Sequence, residues 1–179
     1  MKMKKSAFHV YFLQILFNIC PLFWIDIFYD NYTYLAGHGH FLFVLMWSIS
    51  TCYGFYFYAK KIWENFKIPY QNKKHALICL GMILVVFIPY QKNSIFSDLH
   101  VWLFILCFSL YCFEWIQTYP FSNTKYKRIC HFNCILILFC LTSFLMIGSM
   151  TAFTESIASF VLNLNLYYWA EKNPMEPSD

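Results

Sequence analysis

Six apolar runs dominate this 179-residue sequence, at roughly 7–25, 40–59, 75–90, 100–117, 129–149 and 152–169. A helix needs about 20 mostly apolar residues to cross the hydrocarbon of a bilayer. Inside lipid every backbone polar group must be satisfied within the chain, which leaves helical bundles and closed barrels. A barrel needs short segments of alternating polarity, and none appear here. The expected fold class is therefore all-α, a polytopic bundle of about six transmembrane helices. The third run is short and is expected to extend past Pro89. The sixth is the least hydrophobic, because it contains Glu155, Asn163 and Asn165; a re-entrant or interfacial helix is the alternative there.

Composition agrees with lipid as the main solvent. Hydrophobic residues make up 60% of the chain and charged residues 12%, against about 45–50% and about 25% in a soluble domain. Halving the charge leaves too little polar surface for a water-soluble globule. The formal net charge of +4 is dispersed between apolar runs. It reads as a topology signal and does not suggest nucleic acid.

Lys and Arg set the expected orientation. Twelve of the thirteen fall before run one, between runs two and three, between four and five, or after run six; Lys92 alone lies between three and four. Loops kept in the cytoplasm carry such an excess, so both termini are expected inside, in a plasma or inner membrane. The basic start, MKMKK, is followed by no small-x-small cleavage site, and the first run is read as an uncleaved span. One bundle domain is expected over 1–170, with a polar tail at 171–179 that is disordered beyond Pro174.

All eight Cys lie in or beside apolar runs and no CxxC occurs. They read as small buried hydrophobes rather than a disulfide framework. Cys130 and Cys134, one turn apart beside His131 and Asn133, read as reduced thiols, with zinc as the alternative.

Ionisable groups inside a membrane are costly and mark function. Asp26, Asp30, His38, His40, Asp98, His100 and Glu155 all fall toward one bundle end, at the edges of different runs. His100, Glu155 and Asp98 are the candidate catalytic residues, since groups converging at one depth could act as general acid and base. His38 and His40 are candidate ligands for a divalent metal, the cofactor such groups would hold. Their spacing sets a condition: on a helix, i and i+2 point about 200° apart, so both face one ion only where the segment is non-helical. Interfacial residues solvated at helix ends are the alternative for the whole group.

Two stripes run down helices. Thr151, Glu155, Ser159 and Asn163 recur every fourth residue on run six, a polar line expected to face the interior. His100, Cys107, Tyr111 and Glu114 share a face of run four, where Glu114 is expected to pair with Lys125, Lys127 or Arg128. Gln14 and Asn18 on run one, with Trp47, Ser50, Thr51 and Gly54 on run two, read as packing faces. Pro21 is expected to kink run one. Phosphate loops, a nucleophile elbow and HExxH are absent from the sequence.

The layout resembles the Frag1/DRAM/Sfk1 family: six spans with both ends inside, a His opening the fourth span in SDLHVWLF, and a Glu opening the last in FTESIASFVLNLNLYYW. The resemblance implies a protein of lipid handling or membrane organisation. Membrane-bound zinc hydrolases of the seven-span kind place an HxxxH pair in the last span, and this chain has no His after His131. The leading expectation is a membrane-lipid protein with an outer-leaflet cavity lined by His100 and Glu155. A small-solute or proton-coupled carrier, a metal-dependent hydrolase and a purely structural subunit are the alternatives. Membrane lipid is the expected partner, beside a second copy of the chain or another membrane protein.

Overall fold

The computed structural model describes residues 5–88, 95–121, 124–147 and 150–172, apart from the side chains at 96–98, 121, 141, 144, 145 and 147. Lys2, Lys4, Pro89, Lys92 and the tail from Asn173, all used above, lie outside the described residues. Every element among the described residues is helical. They form α1 (Lys5–Phe23), α2 (Tyr32–Asn65), α3 (Asn72–Leu84), α4 (Ile95–Thr118), α5 (Thr124–Ile147) and α6 (Ala152–Tyr167). α1, α2 and, from Leu99, α4 are long and apolar enough to cross a membrane. α3 has 13 residues before a terminal 3-10 turn over Val85–Phe87. At about 1.5 Å per residue the α-helical part of α3 is about 20 Å long, short of the about 30 Å hydrocarbon core.

Each helix packs on the next in chain order, α6 returns to α1, and α2 also packs against α6. The main core draws on all six helices, around the fully buried rings of Tyr58, Trp63, Tyr111, Trp115 and Tyr126. Large aromatics dominate such cores because each buries about 150–250 Å². Large apolar side chains also point outward from every helix: Leu16, Leu42, Leu77, Trp102, Ile135 and Phe153 are all exposed.

Local sequence explains the ends. Pro21 has no N–H to give and sits in the closing 3-10 turn Cys20–Phe23. Both Trp24 and Ile25 donate their N–H to its carbonyl, at 3.0 and 3.1 Å. Pro21 thus terminates α1 instead of bending its middle. Asn31 caps α2, its side chain accepting the Tyr34 N–H at 2.7 Å. Within α2 the helix breaks at His38 and Gly39, where Gly39 has φ of +93°. A side chain there would strain the backbone, and glycine adopts this left-handed conformation freely.

Candidate functional site

The N-termini of α2 and α6 cap each other. The first N–H groups of a helix have no partner inside it. At α6, Thr151 accepts the Thr154 N–H, while Ala152 and Phe153 donate to the carbonyls of Asp30 and Ile27 at 2.7 and 2.9 Å. At α2, Tyr32 donates its N–H to Glu155 Oε2 at 2.9 Å. Glu155 therefore places a carboxyl oxygen on the first free amide of α2, which has no partner within its own helix.

Beside this junction lies a cleft of about 830 Å³, open mouth included. Its wall is mainly apolar, with Val44, Phe55, Met82, Phe104 and Phe108 among the lining side chains. Both His100 and Glu155 line it, brought there by α4 and α6. His100 Nδ1 donates to the Ile88 carbonyl at 3.0 Å, and its Nε2 lies 3.0 Å from the Thr33 hydroxyl, which donates to a neutral ring. His100 thus ties α4 to α2 at the same end where Glu155 ties α6 to α2. No Lys or Arg is among the described residues that line the cleft.

The other candidates at this end do other things. Asp98 stands on the first turn of α4, and its side chain lies outside the described residues. Asp26 and Asp30 fold the α1–α2 connection: Asp30 Oδ2 accepts the Asp26 N–H, and Asp26 Oδ1 accepts the Phe28 N–H. The backbone at His38 and Gly39 is non-helical, the condition that their spacing required for a shared ion. Even so, His38 donates to the Tyr34 carbonyl at 2.8 Å and stacks on the Tyr34 ring, while His40 stacks on Trp24. Among the described residues no group of three His, Cys, Asp or Glu side chains is placed to hold a metal.

Below the cleft a polar seam joins α1, α2 and α6. Ser159 bonds the Thr51 hydroxyl at 2.7 Å and donates to Gln14 Oε1 at 3.1 Å. Gln14 in turn donates to Ser50 Oγ, which His9 Nε2 also meets, and His9 Nδ1 meets Tyr58 Oη. Asn18 receives the Trp47 indole N–H and the Tyr32 hydroxyl. Asn163 donates to the carbonyls of Ser159 and Thr51, and its Oδ1 fills the space that a Cβ on Gly54 would need. The polar line on α6 faces inward, and run one and run two meet it with the faces the sequence marked. His9 is a member that the sequence reading missed; next to MKMKK it looks like one more polar residue at a helix start.

The far end of the bundle holds a second buried group. Glu114 Oε2 accepts from His75 Nδ1 at 2.8 Å, with His75 fully buried and Glu114 7% exposed. The expected pairing with Lys125, Lys127 or Arg128 is therefore corrected. The packing of α3 against α4 brings His75 within hydrogen-bond reach of Glu114. His75 lies between the stacked rings of Tyr56 and Tyr111, with Trp63 edge-on.

Comparison with known proteins gives no match to a family model, a curated protein or a solved structure.

Proposed function

We propose that this chain is a six-span membrane protein, with both termini cytoplasmic, that binds and handles membrane lipid through the cleft at the α2–α6 junction. The observation that carries the reading is the meeting of His100 and Glu155, from separate helices, on one mainly apolar cleft. Apolar walls with a few polar groups at one end suit an amphiphile. Outward-facing Leu, Ile, Phe and Trp on every helix support lipid around the bundle. The uneven distribution of Lys and Arg supports the orientation. The resemblance of SDLHVWLF and FTESIASFVLNLNLYYW to the Frag1/DRAM/Sfk1 pattern supports the same class of work.

Replacing His100 and Glu155 separately with Ala tests the proposal. Cellular lipid profiles should shift in both variants at normal protein levels, and unchanged profiles would refute it.

The polar seam argues against a proton-coupled carrier. It runs from His9 through Ser50 and Gln14 to Ser159, and the Gln14 amide interrupts it, since an amide passes a proton on only through a costly tautomer. The seam serves to hold α1, α2 and α6 in register, as interhelix Ser, Asn and Gln do elsewhere in membranes.

A further inference from the structure

We infer that the end of the bundle opposite the cleft docks anionic phospholipid, with the head group on exposed cations at the openings of α3 and α5 and an acyl chain along the apolar stripe beneath each. The inference is independent of the cleft and of what fills it. Three observations carry it: which cations lack an acid, where on their helices they stand, and what lies directly below them.

The acids at this end are already taken. Glu64 meets Lys60 at 3.8 Å, Glu171 meets Lys61 at 2.6 Å, and Glu114 is buried against His75. Lys67, Lys73, Lys74, Lys125, Lys127 and Arg128 have no carboxylate within ion-pair distance among the described residues. All but Lys74 are exposed, and a Lys or Arg in water is charged. Helix stability does not call for them where they stand. A cation at a helix start opposes the macrodipole, and neither α3 nor α5 has an acidic residue in its first turn to offset it. Phosphate oxygens are the complement that such positive helix starts and their cations lack.

What lies below the cations separates lipid from a soluble anion. Lys73 is followed along α3 by Leu77, Leu80 and Leu84, all exposed. Arg128 is followed along α5 by Phe132, Ile135 and Phe139, all exposed as well. Residues three or four apart share a helix face, so each cation tops an outward apolar stripe. At about 1.5 Å per residue, the first apolar side chain stands about 6 Å below its cation. An acyl chain laid on the stripe brings its own phosphate up to the cation. Charge then selects among phospholipids. A choline head neutralises its phosphate internally, whereas a net anionic head keeps its charge for Lys and Arg at the surface.

The test is a thermal-shift titration of the full chain in neutral detergent with three probes: dioleoylphosphatidylserine, dioleoylphosphatidylcholine and glycerophosphoserine, which is the serine head without chains. The serine lipid should raise the melting temperature saturably, at a concentration about tenfold below the choline lipid. Raising salt from about 0.05 M to about 0.5 M should remove most of that preference, because exposed charges are screened. This arm uses the unaltered chain and depends on no variant's folding. Changing Lys73 and Arg128 together to Gln should weaken serine-lipid binding about fivefold or more and leave choline-lipid binding unchanged. Changing Lys60 and Lys61 together to Gln removes the same charge from cations that already have acids, and should leave the preference in place. Equal affinity for the two lipids, or equal loss in the two double variants, overturns the inference. So does glycerophosphoserine acting at the concentration of the lipid, which would make the partner a soluble anion.

Discussion

Replacing Gly54 with Ala should destabilise the bundle, against the ordinary sign of that change in a helix. Glycine in a helix interior is about 1 kcal/mol worse than alanine, so propensity alone favours the variant. At this position, however, the new Cβ would stand 1.5 Å from Asn163 Oδ1 and 2.7 Å from its Cγ. Asn163 is fully buried and cannot swing into solvent. It must turn within the packed seam, and its bonds to the carbonyls of Thr51 and Ser159 stretch or break. Overpacking of this kind costs about 1–3 kcal/mol, and side-chain bonds in membrane bundles contribute about 0.6 kcal/mol each. Setting the propensity gain against these leaves a net loss of about 2 kcal/mol. For a chain of this size that lowers the melting temperature by about 4–8 °C. Thiol-reactive dye fluorescence on the detergent-purified protein reads the transition, because five of the eight Cys are buried in the fold. The cycle is completed with Asn163→Ala, alone and combined with Gly54→Ala. Once the amide is gone the Gly54 substitution should have little effect or stabilise. An unchanged or higher melting temperature for Gly54→Ala alone would refute the reasoning.

Two further outcomes follow from the buried polar groups. Glu114→Ala leaves His75 without its partner, and such a loss costs about 3 kcal/mol or more, a melting temperature lower by about 6–12 °C. Changing His75 and Glu114 together to Leu should restore much of that loss; additive single effects in the same thermal assay would show that the pair is not coupled. Gln14→Leu removes the central link of the seam, with bonds to Ser50 and Ser159. At about 0.6 kcal/mol per bond, with an added penalty for the partners left unmatched, the loss is about 2 kcal/mol. Limited proteolysis should then release α1 first, and a pattern of cleavage like the wild type would count against the seam as its anchor.

Much of this architecture was readable in the residues. The apolar runs locate the six helices because hydrophobicity sustained over a helix length marks a helix without any finer pattern. The line Thr151, Glu155, Ser159 and Asn163 was visible because its four-residue period is the helix's own, and polar groups in that period have to turn inward. His100 and Glu155 could be placed at one end, but their sharing of a cleft depends on how α2, α4 and α6 lean together, which no local pattern encodes. His75 escaped notice for a related reason. It follows Lys73 and Lys74 at the edge of a run, where a polar residue is ordinary, and its partner Glu114 is 39 positions away. The basic residues near Glu114 in sequence offered a more obvious partner, and helix packing overrode them.

The break in α2 divides the wall of the cleft. Thr33 and Ala36 belong to the short piece before Gly39, and Val44, Trp47 and Ser48 to the long piece after it. The short piece is held at its first amide by Glu155, whose side chain also lines the cleft. Under the proposed lipid-binding reading, an occupant that drew this oxygen toward itself would also loosen the rim, so entry and opening would become a single event. Deuterium exchange at the Tyr32 amide would report that event directly, faster when the cleft is filled than when it is empty.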